Sequence, residues 1–165
     1  MTTIIRLQAL LPTIRRLDFS SRSGNGSQCA WSGKGNGEVA VAMDADASVR
    51  FSETGHFRLD APAARAVPFR NVFRWTPGSE HMALSHERRG ANAAVWLFDL
   101  VVAPVHESAD LVSRDAHLCG DDRYRARLTF VDDGFDLEWT ISGPKKDERL
   151  RYRYRGNSSE AAHDN

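Results

Sequence analysis

The chain has little cysteine, little lysine, no long apolar run and no net charge, and each shortage excludes something. Cys29 and Cys119 are its only cysteines. They form no C-x-x-C pair, so neither a disulfide framework nor a cysteine zinc site is expected. No stretch approaches the ~18 to 20 apolar residues that a membrane-spanning helix needs. The opening "MTTIIRLQALLPTIRR" is broken by Arg6, Gln8 and Pro12 and lacks a small-residue cleavage site, so it does not read as a signal peptide and a cytoplasmic protein is expected. Lysine plus arginine and aspartate plus glutamate both count 22, a formal net charge of zero. No global field then draws the chain to nucleic acid or to an anionic membrane, neither is expected as a partner, and any basic patch must be local. Only Lys34, Lys145 and Lys146 are lysines; a GC-rich genome would produce such an arginine bias with no functional meaning. G-x-S-x-G, H-E-x-x-H and C-x-x-C-H are missing, and "GKGNGE" (33–38) lacks the spacing of a phosphate loop and reads as a hairpin turn. No cofactor and no metal are expected.

What is present has a period of two. Residues 1–156 read as one domain, large enough to bury roughly two thirds of its unfolded surface, and the polar 157–165 as a disordered tail. Ile4, Leu7, Leu10 and Leu11 share one helical face before Pro12 ends the run, which predicts one short N-terminal helix. From there on, alternating segments are punctuated by "SGNG", "GKGNG", "DAPAA", "TPGS", "RRGAN", "DDG" and "GPKKDE". Strands are predicted near 14–20, 27–32, 38–43, 47–58, 69–76, 81–88, 94–102, 111–119, 123–131, 135–142 and 149–155. Consecutive strands joined by short turns favour an all-β, antiparallel up-and-down barrel of about 9 to 11 strands, with a β-sandwich as the alternative.

The last three strands allow a register argument, because hairpin partners must place their apolar residues on one face. With Asp133-Gly134 as a two-residue turn, Phe130 opposes Leu137, Leu128 opposes Trp139 and Ala126 opposes Ile141. A six-residue "GPKKDE" loop then sets Ile141 against Leu150 and Trp139 against Tyr152, with Glu138 facing Arg153 and Asp136 facing Arg155. Arg123, Arg125 and Arg127 share the outward face with Arg149, Arg151, Arg153 and Arg155. That face is either a solvated sheet with weak cross-strand ion pairs or a surface for an anion or partner.

Polar residues on the apolar parity are the site candidates, since buried polar groups need partners and often serve a ligand. They are Glu53 (beside Val49, Phe51 and Phe57), Asn71 (beside Phe69, Phe73 and Trp75), His86 (beside Met82 and Leu84), Asp122, Tyr124, Tyr152 and Tyr154, with Trp75 and Trp139 in the aromatic lining. An arginine such as Arg15 is a candidate partner for Glu53. "AVWLFDLVV" is apolar on both faces, so the N-terminal helix is a candidate cover for it. His117 and Cys119 lie two apart, as a base and thiolate or as two metal ligands would, but no third ligand beyond Asp121 or Asp122 is near.

The segment "HLCGDDRYRARLTFVDDGFDLEWTISGPKKDERLRYRYR" resembles a family of uncharacterised bacterial and fungal proteins marked by H-x-C-x-x-D-x-Y, a tryptophan strand and G-P-x-K-D. The likeness falls on His117, Cys119, Asp122 and Tyr124, then Trp139, Gly143, Pro144, Lys146, Asp147 and Tyr154. "FSETG" is similar to the family's Y-x-E-x-G with Phe51 for tyrosine, and "FRW" (73–75) to its Y-x-W; a G-x-W near the N-terminus is missing. The resemblance implies a lipocalin-like or calycin-like barrel and no assigned function. It also suggests that Glu53, His117, Asp122, Tyr124 and Lys146 line one mouth.

These observations support a small-molecule-binding barrel with an aromatic cavity, rimmed by "HLCGDD" and "GPKKDE" and taking an apolar or aromatic ligand. An isomerase- or hydrolase-type enzyme with an interior carboxylate–histidine pair, and a non-catalytic interaction module using the arginine face, are the alternatives. A homodimer stays open.

Overall fold

The computed structural model describes residues 1–27, 32–115 and 117–156, with the side chains of 117–119 left undescribed. Thr2 caps an N-terminal helix, α1 (Thr3–Leu10), its hydroxyl accepting from the Ile5 N–H at 3.3 Å, and a single 3-10 turn (Leu11–Thr13) follows where Pro12 cannot continue the α-helix. Eleven antiparallel strands come next: β1 (Ile14–Ser23), β2 (Gly33–Met43), β3 (Val49–Leu59), β4 (Val67–Pro77), β5 (Met82–His86), β6 (Val95–Val102), β7 (Leu111–Ser113), β8 (His117–Cys119), β9 (Asp122–Val131), β10 (Gly134–Ser142) and β11 (Asp147–Gly156). The ladder runs β10-β11-β1-β2-β3-β4-β5-β6-β7-β9, and β9 returns to β10, so ten strands close into an all-antiparallel barrel. Closure gives each of those ten strands a partner on both sides, although the short β7 pairs only with Leu100–Val102 of β6. The short β8 lies beside the start of β9 where β7 has ended.

The two ends differ. At the end where β1, β3 and β10 begin, α1 and its 3-10 turn bury Ile4, Leu7 and Leu11 in the same apolar cluster as the barrel interior. α1 touches β6, the 3-10 turn touches β2, and the Arg6 guanidinium lies 4.3 Å over the Phe130 ring. The N-terminal segment therefore plugs this end, rather than covering the outer face of β6, where Trp96 remains exposed. At the opposite end, the mouth, the interior loosens: Phe19, Phe57, Phe69 and Leu150 are only partly buried.

Three expectations need correction. The β9–β10 turn is Asp132-Asp133, so Phe130 opposes Phe135, Leu128 opposes Leu137 and Ala126 opposes Trp139; the β10–β11 loop holds four residues, setting Trp139 against Leu150 and Leu137 against Tyr152. Both registers slip by two, which keeps every side chain on its predicted face because the strand period is two. The ion pairs shift accordingly: Asp136 pairs with Arg151 (3.0 Å) and Arg155 (2.9 Å), and Glu138 with Arg151 at 3.8 Å. "GKGNG" is no turn but the first half of β2, where Gly37 opposes Gly55 and a Cβ at either position would collide with the partner strand's backbone. Glycine serves close strand approach there. The single strand predicted over 111–119 is two, separated by residues 114–116. Of the strand predicted at 27–32, residues 28–31 lie outside the described residues, as does the tail 157–165.

Outside the barrel, Arg74 on β4 donates to Glu87 and Asp44 and, at 2.7 Å, to the Ser48 hydroxyl. Glu87 is almost fully buried. Removing its cation leaves a buried carboxylate unpaired, so Arg74→Ala is expected to cost about 2–4 kcal/mol in urea unfolding, below the fully buried case because Asp44 is partly exposed. A loss under ~1 kcal/mol would show the network to be ornamental. Sequence reading missed this cluster: its members come from the β2–β3 turn, from β4 and from the residue that follows β5, and no periodicity links them.

Candidate functional site

The inward column of β3 reads Val49, Phe51, Glu53, Gly55, Phe57, and the first three are buried. Glu53 is thus the first polar group met above the aromatic floor. Its neighbour across β4 is Asn71, half-buried, and its neighbour across β2 is Val39. Above it the wall is stripped of side chains by Gly55, Gly37, Gly35 and Gly33, and the Phe57 ring lies against the last two.

Glu53 is fully buried, and Arg15 does not reach it; Arg15 donates instead to the carbonyls of Pro12 and Ile14, both at 2.8 Å. The partner is Tyr154, whose hydroxyl donates to Glu53 Oε2 at 2.6 Å. Desolvation pushes the carboxyl up to about 8, against the opposing pull of that hydrogen bond, so Glu53 is a neutral acid at pH 7. Among the described residues its other oxygen, Oε1, has no partner, nor do the buried indole nitrogens of Trp75 and Trp139. Buried polar atoms are paired in the great majority of cases, so three orphans in one interior are a finding.

The rings around them are continuous. Tyr152 stacks on Tyr154 at 5.6 Å with an interplanar angle of 7°, and Phe51 lies 5.4 Å from Tyr154 and 5.7 Å from Trp75. Trp139 contacts Phe98 and Phe73 edge-on, at 5.3 and 5.9 Å. Burial, with the Glu53 charge as a second cause, raises the pKa of both Tyr152 and Tyr154, so their hydroxyls stay protonated.

Toward the mouth a cleft of about 1250 Å³ opens over this layer, lined on the inside by Phe19, Phe57, Phe69, Asn71, Leu150 and Tyr152, with Lys146 and Arg88 at its edge. It also spills over outward-facing Ala40, Ala42 and Arg50, so the interior part is smaller than the whole. Of the predicted residues, Asn71, Tyr152 and Lys146 line the cleft, and Glu53, Tyr154, Trp75 and Trp139 lie beneath or beside it. His86 meets Phe73 edge-on at 5.1 Å, and its Nδ1 accepts the Arg88 backbone N–H at 3.3 Å. Burial, then the Arg88 charge, lowers its pKa and favours neutral imidazole. Asp122 and Lys146 form an ion pair of 3.3 Å that ties the β8–β9 and β10–β11 loops together and raises the lysine pKa, so these loops are neighbours as predicted. Tyr124 sits half-buried opposite Ile141. His117 and Cys119 pair through their backbones with Tyr124 and Asp122, while their side chains lie outside the described residues. Phe19, Phe57 and Phe69 also line the cleft and are not among the sequence candidates, although the inward parity of Phe57 and Phe69 is legible beside Glu53 and Asn71.

The carboxylate–histidine pair that an enzyme reading requires is not formed among the described residues: Glu53 bonds Tyr154, and His86 bonds the backbone of Arg88. The molecule is a closed antiparallel β-barrel plugged at one end, with a neutral buried acid and an aromatic layer beneath an open mouth. A family of unknown function (DUF6314) matches residues 20–156, and the chain belongs to that family. No curated protein and no solved structure matches the chain.

Proposed function

We propose that this protein is a small-molecule carrier or receptor of lipocalin-like use, binding one apolar or aromatic molecule in the mouth of the barrel. The observation that carries the reading is an aromatic cleft with three buried polar groups beneath its lining that have no hydrogen-bond partner among the described residues: Glu53 Oε1, Trp75 Nε1 and Trp139 Nε1. With Glu53 neutral, all three are donors. They favour a ligand that is mostly apolar and carries an acceptor, such as a carbonyl or ether oxygen, and no charge. An anionic ligand would find no cation in this layer, because Lys146 and Arg88 stand at the rim. The aromatic walls supply contact area and the few polar groups orientation, the usual division of labour in such sites.

The test is mass spectrometry of freshly purified protein under native and denaturing conditions, followed by titration with the neutral fluorophore N-phenyl-1-naphthylamine. A stoichiometric co-purified molecule, or saturable one-to-one uptake of the probe, is expected. Asn71→Trp fills the cleft floor and should weaken uptake by about tenfold or more while circular dichroism stays unchanged. A clean apo mass together with unsaturable, Asn71-independent probe binding would remove the proposal.

A further inference from the structure

The zero net charge is the sum of two unlike ends. The connections at the plugged end carry Asp44 and Asp46 (residues 44–48), Glu80 (78–81), Glu107 and Asp110 (103–110) and the Asp132-Asp133 turn and no lysine or arginine, although the plug and the start of β1 add the exposed Arg6, Arg15 and Arg16 to that end. The mouth connections carry Arg65, Arg88, Arg89, Arg114, Lys145 and Lys146. Just below, on the outer face, stand Arg22, Lys34, Arg58, Arg123, Arg125 and Arg149, all exposed. Acids are present at this end too (Asp60, Asp115, Asp121, Asp122, Asp147, Glu148), but cations outnumber them and Asp122 is taken by Lys146.

The ion pairs on the arginine face sort by height in the same way. Asp136 and Glu138, nearer the plug, satisfy Arg151 and Arg155. Arg22 and Arg149 face each other directly across β1 and β11, with Thr140 and Arg125 next in the row. Among the described residues no ion pair reaches Arg22, Arg125 or Arg149. Like charges directly opposite one another destabilise a sheet, so folding alone does not account for this row.

Apolar side chains break the surface among these cations: Leu59 and Val67 at the β3–β4 corner, and Val95 and Trp96 at the start of β6. Met1, Ile5, Met43, Val102 and Val105 are exposed at the plugged end as well, so apolarity by itself does not choose an end; the excess of cations at the mouth does. Cations interleaved with an exposed tryptophan and aliphatic groups suit a lipid interface, where basic residues meet anionic headgroups and amphipathic rings sit at headgroup depth. Duplex nucleic acid or an acidic protein would use the cations and leave this rim unsatisfied.

We propose that the mouth end docks on an anionic lipid bilayer, with the acidic plugged end turned away. This surface rests on charge placement and exposure, and stands whether or not the cleft holds a ligand. The full chain is sedimented with vesicles of phosphatidylcholine alone and of phosphatidylcholine with phosphatidylserine, at low and high salt. Retention is expected only on the phosphatidylserine vesicles, weakening as salt rises. Arg89→Gln with Lys145→Gln, neither lining the cleft nor ion-paired, should lower the partition by about tenfold, since each cation near the surface contributes severalfold. Ser79→Glu with Val105→Glu, the same charge change at the plugged end, should leave the partition within about twofold, and Trp96→Gln should lower it severalfold. Retention of N-phenyl-1-naphthylamine uptake in the Arg89/Lys145 variant separates loss of docking from loss of the ligand site. Equal loss in both charge variants, equal binding to pure phosphatidylcholine, or capture by duplex DNA with vesicles ignored would overturn the proposal.

Discussion

Stability is expected to fall as pH rises from about 5 to about 8, and Glu53→Gln is expected to abolish most of that fall. In the folded protein the Glu53 carboxyl titrates at about 8, whereas an unperturbed glutamate titrates near 4.5. Between these values the native state keeps a proton that the unfolded chain has released. Stability is therefore fully present below about 4.5, declines through the window and levels off above about 8, with a slope approaching ~1.4 kcal/mol per pH unit for one proton. Glutamine is neutral at every pH and still offers an oxygen to the Tyr154 hydroxyl. Urea midpoints measured at pH 5, 7 and 9 should converge at low pH and leave the variant ahead at pH 9. Parallel profiles would show that water or a cation reaches Glu53 and that it is no neutral acid.

Trp75→Ala is expected to cost about 3–5 kcal/mol, the usual loss for a fully buried large aromatic. Trp75 is fully buried between Phe51, at 5.7 Å, and Phe135, at 5.6 Å, so its removal opens a void between rings from opposite walls. Trp75→Phe should cost no more than ~1–2 kcal/mol, because the indole N–H has no partner to lose and its burial is itself unfavourable. Thermal or urea unfolding of the two variants measures the difference. If phenylalanine proves as damaging as alanine, the N–H is satisfied in solution, and the hydrogen-bonding layer assigned to the ligand loses one of its three donors.

The arginine strands show how far local pattern reaches. Alternation in "DRYRARLTF" and "ERLRYRYR" placed the arginines outside and Tyr152 and Tyr154 inside, and the structure has them so. The same pattern could not choose between Asp132-Asp133 and Asp133-Gly134 as the turn, since a slip of two residues costs no change of face. "GKGNG" misled for a related reason: glycine marks both a turn and a tight strand contact, and the strand pressing on it lies some twenty residues later, at Thr54 to Arg58.

The candidate site divides along the same line. That Glu53 points inward was legible from Val49, Phe51 and Phe57; that Tyr154 holds it was not, because the two are 101 residues apart and meet only across the closed barrel. By itself, the sequence determined the all-β class, the short helix, the inward and outward faces and the composition of the interior, because strand geometry repeats every two residues and burial follows it. Tertiary closure alone decided which inward groups touch, which polar atoms are left unpaired, that one end is plugged and the other open, and that a neutral chain leaves acidic turns at one end and an excess of cations at the other. Those are sums over residues distant in sequence, set by how ten strands wrap and by nothing that any single strand contains.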